Sequence, residues 1–159
     1  MTDQPNENEI ELSDEHIELA QFLDDIFKLD QIDPNRIHAT ECLKMLLERE
    51  QDFIGTPLEK SFWNAVSLES FHIAQQKAFK GNLKDVKHFL NQSLEAAQKG
   101  VSDEWLSYIR GTKCYFDGDM DGLQKEISKG GMGKDILRRL YIGFKKRRSV
   151  NYSEDYSGK

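Results

Sequence analysis

What most limits the folds open to this chain is its rhythm: capping signals alternate with apolar residues at three- and four-residue spacing along most of its length. Ser13, followed by Asp14 and Glu15, opens a stretch in which Ile17, Ala20, Leu23, Ile26 and Phe27 share a helical face. Asp33-Pro34 opens a second, striped by Ile37, Leu43, Leu46 and Leu47 and stopped near Gly55. Thr56-Pro57-Leu58-Glu59 has the form of a capping box, ahead of a third helix running toward Lys80 with a bend expected near Ser67 to Ser70. In it Phe62 and Trp63 are adjacent and face different sides, so burial of both would mark a central helix. Gly81-Asn82 ends it, and Leu83 to Gln98 forms a fourth helix closed by Gly100. Ser102 caps a fifth from Asp103 to about Phe116, a short sixth spans Met120 to Lys129, and a seventh spans Lys134 to about Lys146. β-Branched runs are missing, so the expected fold class is all-α: antiparallel helical hairpins in a bundle of about six or seven helices.

One hydrophobic core suits a chain of 159 residues. Residues 1–12 read as a disordered acidic lead, 13–148 as a single helical domain, and 149–159 as a flexible tail. No apolar run approaches the roughly 18 residues of a membrane span. The acidic lead is the reverse of a secretory signal, and Cys42 and Cys114 lack paired spacing. These features together imply a cytoplasmic protein with reduced thiols. Charge is unevenly placed: residues 1–33 carry eleven acids against Lys28, and residues 134–148 carry seven bases against Asp135.

A shift of 37 residues lays Gly81 on Gly118, Phe71 on Tyr108, Ala74 on Gly111, Asn82 on Asp119, Val86 on Leu123 and Leu90 on Ile127. Each copy is a helix, a Gly-polar turn and a second helix, with a small residue seven before the turn glycine. From about Ser70 to Ile127 the chain resembles the tetratricopeptide repeat, most closely over Gly111-Thr112-Lys113-Cys114-Tyr115-Phe116-Asp117-Gly118-Asp119. Arg110 stands where that family usually has an apolar residue, and no proline closes either unit. The resemblance implies a groove that binds a protein or peptide partner, lined here by the helices bearing Phe71, Gln75, Tyr108 and Thr112. The expected function is therefore non-catalytic protein interaction, by an adaptor, chaperone-like or regulatory protein with no cofactor.

Other motifs suggest alternatives. The last predicted helix sets Arg138, Arg139, Lys145, Lys146, Arg147 and Arg148 beside an apolar stripe, a second partner contact that could also meet nucleic acid or an anionic surface. Asp117, Asp119, Asp121 and Gly122 match the first half of a calcium loop, but its twelfth position is Ser128 where a bidentate acid is needed. Lys129-Gly-Gly-Met-Gly-Lys134 lacks the strand and the hydroxyl residue of a phosphate-binding loop. Glu69-x-x-His72 and Asp85-x-x-His88 invite comparison with di-iron bundles. Folding back at Gly81 would leave the two motifs roughly 9 Å out of step, at about 1.5 Å per residue. His38 and Cys42, one turn apart, make at most half a zinc site.

Overall fold

Helix α1 (Asp14–Gln31) begins as its sequence predicts, with the Ser13 hydroxyl accepting from the His16 amide at 3.3 Å. The computed structural model describes residues 12–100 and 103–158. Almost all of the acidic lead, and Ser102 with its expected cap, lie outside the described residues. After α1 come α2 (Ala39–Glu48), α3 (Glu50–Phe53), α4 (Glu59–Phe79), α5 (Leu83–Gly100), α6 (Asp103–Asp117), α7 (Met120–Ser128), α8 (Lys134–Arg147) and α9 (Tyr152–Ser157). The all-α expectation holds, with no strand among the described residues, but they form nine helices rather than six or seven. The two additions, α3 and α9, are each too short to show a helical repeat of apolar residues.

Several details differ from expectation for identifiable reasons. Asp33-Pro34 forms a turn rather than a helix start: Asp33 Oδ1 accepts from the Asn35 amide at 2.7 Å, and Arg36 takes a left-handed conformation (φ 56°). Helix α2 therefore begins five residues after Pro34, at Ala39. At the next start Glu59 caps the Gly55 amide, not that of Thr56, so the expected box is displaced. In α1 the buried stripe is Leu19, Leu23 and Ile26, while Ile17 is exposed.

Helix α4 runs unbroken through the expected bend and organises the molecule. Phe62 and Trp63 are both buried, as a central helix requires. Its Phe62, Trp63, Ala65, Val66 and Ile73 join residues of α1, α2 and α3 in one core. Its Phe71, Ala74 and Ala78 join α5 to α9 in a second. Its largest interface is with α5. There Ser67 and Ser93 each donate to the other's carbonyl, at 2.9 and 2.8 Å, and Trp105 Nε1 of α6 donates to Ser67 Oγ at 2.8 Å. Small hydroxyl residues at this crossing let three helices approach closely with every hydrogen bond kept inside.

The two turns paired by the 37-residue shift share one geometry. Gly81 (φ 78°) and Gly118 (φ 72°) are left-handed. The Asn82 and Asp119 amides, just after them, reach back to the Lys77 and Cys114 carbonyls, both at 2.9 Å. Both are Schellman closures, in which glycine turns the chain without a Cβ clash. Gly111 also earns its small size: a Cβ there would meet Leu137 of α8 at 2.6 Å. No described helix is long and apolar enough to cross a membrane.

Candidate functional site

Helices α4, α6 and α8 enclose between them a groove that the chain's own helix α9 fills. Residues 149–159, expected as a flexible tail, instead carry α9, which the Asn151 side chain caps by accepting from the Glu154 amide. A polar segment with few apolar residues gives little sequence signal, yet its two tyrosines and one acid have prepared partners. Tyr152 is 2% exposed, and its ring lies 5.1 Å from Phe79 of α4 and 5.3 Å from Phe116 of α6. Gln75 of α4 donates to the Tyr152 hydroxyl at 3.1 Å. The Asp155 carboxylate is buried, accepts from Tyr115 Oη at 2.6 Å, and is paired with Arg147 of α8. Tyr115 Oη in turn accepts from the Asn151 amide at 2.9 Å. Gly143, inside α8, makes room, because a Cβ there would collide with the Asp155 carboxylate. Tyr156 packs on Phe79 at 5.5 Å, with the Arg139 guanidinium 6.0 Å from its ring.

The residues expected to contact a partner are thus redistributed. Phe71 and Tyr108 are buried and pack on each other at 5.2 Å, so they form the floor of the groove rather than its surface. Thr112 is also buried, its hydroxyl donating to the Tyr108 carbonyl one turn back. Of these four, Gln75 is the one hydrogen-bonded to α9. On α8, Arg138 pairs with Asp135, and Arg139 and Arg147 face α9, yet these three are exposed along with Lys145, Lys146 and Arg148. Arg148 itself ends α8 in a left-handed conformation.

Other candidates have local roles. Asp119 caps α7, accepting from the Gly122 amide at 2.9 Å, and Asp117 pairs with Lys87 at 3.3 Å, while Asp121 sits exposed in the first turn. Lys134, from the glycine-rich run, is buried and donates to Ser107 Oγ at 3.2 Å and to the Glu126 carbonyl, tying α6, α7 and α8 together. Ser107 donates to the Glu126 carboxylate at 2.8 Å. Lys129 also bonds that carboxylate; burial would raise its pKa, but these partners outweigh burial and hold it low. The Cys42 thiol is buried against the Ile26 carbonyl, and His38 faces Glu41.

A second constellation lies where α1 meets α4. Asp30 follows Ile26 by four residues and so occupies the buried stripe of α1, while Glu69 and His72 share a face of α4. His72 Nδ1 lies 3.1 Å from Asp30 Oδ2 and 3.9 Å from Glu69 Oε2, and Arg36 lies 3.5 Å from the same Asp30 oxygen. The imidazole N–H is not aligned on either acid, so charge rather than a directed hydrogen bond holds the three. Burial alone would lower the pKa of His72; the two carboxylates overcome it and raise it to about 9. Burial pushes Glu69 upward, reinforced by Asp30, whereas His72 and Arg36 hold Asp30 low against burial. Among the described residues this is the one group of three or more metal-ligating side chains whose donor atoms all lie within 4.8 Å. The sequence flagged Glu69 and His72 but paired them with Asp85 and His88, which stay apart on α5; Asp85 serves Asn82 and Lys77.

The groove and this cluster meet in a cleft of about 720 Å³ between the α1–α2 loop and α4, with Arg36, His72, Gln75, Phe79 and Tyr156 in its walls. Gln76 donates to the Asn35 and Arg36 carbonyls and so fastens the loop over α4. No family model, curated protein or solved structure matches this chain.

Proposed function

We propose that the chain is a tetratricopeptide-like protein-interaction module whose groove across α4, α6 and α8 takes a short acidic segment bearing tyrosine, with α9 as its built-in occupant. The observation that carries this reading is the reception given to Tyr152 and Asp155. Gln75, Tyr115 and Arg147 come from three alternate helices and converge on one phenol and one carboxylate. Charge-assisted hydrogen bonds of that kind select a ligand more sharply than apolar packing does. A partner segment of the same chemistry would replace α9, exposing Tyr152 and the acidic tail.

The test uses a labelled peptide matching residues 149–158 and the full chain carrying Tyr152→Ala with Asp155→Ala, which loosens α9. The peptide should bind the loosened chain and fail to bind the wild type at the same concentration. A further change, Arg147→Ala, should weaken binding by roughly 10-fold or more, as loss of a charged hydrogen bond implies. A loosened chain that keeps its helical circular dichroism and ignores the peptide would sink the reading, leaving α9 as a purely structural cap.

A further inference from the structure

We propose that Asp30, Glu69 and His72 form a site for one divalent transition-metal ion of the zinc or manganese class, reached through the cleft between the α1–α2 loop and α4. The site rests on residues other than the α9 contacts and stands independently of the groove reading.

Its strongest support is Glu69. The residue is 0% exposed, and neither carboxylate oxygen has a hydrogen-bond partner. Asp30 Oδ1 and His72 Nδ1 are buried in the same condition. Buried carboxylates are otherwise paired and hydrogen-bonded, or they coordinate a metal. Proximity without directed hydrogen bonds is the arrangement of ligands that share a common point. Two ligands, each about 2.1 Å from a tetrahedral cation, stand about 3.4 Å apart. The observed separations of 3.1 and 3.9 Å from His72 to the two acids straddle that value.

The donor set selects the ion. One imidazole with two carboxylates suits borderline divalent metals, whereas calcium takes six to eight oxygens and soft ions take sulfur. Two carboxylates neutralise a dication, which relieves the repulsion between Asp30 and Glu69. Arg36 remains beside Asp30 as the outer partner that orients a ligand. Three protein ligands leave a coordination position for water or a small molecule, and His72, the least buried of the three, is the one that lines the cleft.

The experiment strips the full chain with a chelator, dialyses the chelator away, titrates zinc chloride by calorimetry and measures bound metal by elemental analysis. One zinc per chain is expected, with affinity falling roughly 100-fold or more in Glu69→Gln, since even outer partners of metal ligands are worth 10–100-fold. His72→Gln, at the edge of the cluster, gives the same readout if the buried variant does not fold. His88→Ala, on the exposed face of α5, should bind as the wild type does. Absence of stoichiometric zinc, or equal binding by Glu69→Gln and His72→Gln, would overturn the site and leave an internal ion-pair network in its place.

Discussion

At the scale of single residues, this protein keeps its ionised groups in unusual places. Asp30, Glu69 and Asp155 are acids at positions where their helices bury apolar neighbours; Asp30 and Asp155 are met by a base or a phenol from another segment, and Glu69 by His72 of its own helix. Asp30 was legible in principle, because it continues the spacing of Leu19, Leu23 and Ile26. Nothing in the sequence says that His72 is its counterpart, since 42 residues and a turn of unpredicted shape separate them. The pairing has a pH consequence for the metal-free chain. His72 is raised from 6.5 to about 9 on folding. Its contribution to stability is therefore complete below about pH 6.5 and is lost as pH rises through about 9. Glu69 acts in the same sense at lower pH, because its upward shift means the folded state favours the protonated acid. Urea midpoints recorded with chelator between pH 6 and pH 10 should fall with rising pH more steeply in the wild type than in His72→Gln. Parallel curves would mean that these acids do not raise the affinity of the imidazole for its proton.

At the scale of elements, legibility followed helix length. Helices α4 to α8 could be read because each presents several turns of apolar spacing between recognisable stops. The two glycine closures, 37 residues apart, were visible for the further reason that a left-handed turn favours glycine over other residues. Helices α3 and α9 escaped notice because four and six residues hold too little periodicity to register. The packing of the chain's end against α4, α6 and α8 was not legible, since its anchors are two tyrosines and one aspartate in an otherwise polar stretch. One sequence clue remained: Gly143 in the middle of α8, where glycine weakens a helix and calls for a packing reason. Replacing it by alanine should improve the helix by up to about 1 kcal/mol but cost about 1–3 kcal/mol through collision with Asp155. The expected result is net destabilisation of about 1–2 kcal/mol. It should come with faster amide exchange confined to α9 and the end of α8. Slower exchange there would show that α9 does not depend on this opening.

At the scale of the whole molecule, α4 contributes to both cores, so neither can form its packed interior without it. That arrangement predicts one cooperative unfolding transition, and the chain carries a reporter for each half. Trp63 is packed in the core built with α1 and α2, and Trp105 beside Phe71 in the other. Single-tryptophan variants, Trp63→Phe and Trp105→Phe, should each give fluorescence and circular dichroism midpoints that coincide within one protein. Separated midpoints would divide the molecule into two folding units. The short connection from α8 to α9 has a different kind of consequence. Four residues, 148–151, link the two helices, so α9 faces its groove at an effective concentration on the order of millimolar. An equivalent segment arriving freely at about micromolar would hold the groove in only roughly one chain per thousand. On the proposed reading, occupancy from outside would therefore depend on local abundance, through tethering, clustering or a longer contact, and a dilute short segment no better matched than α9 would be turned away.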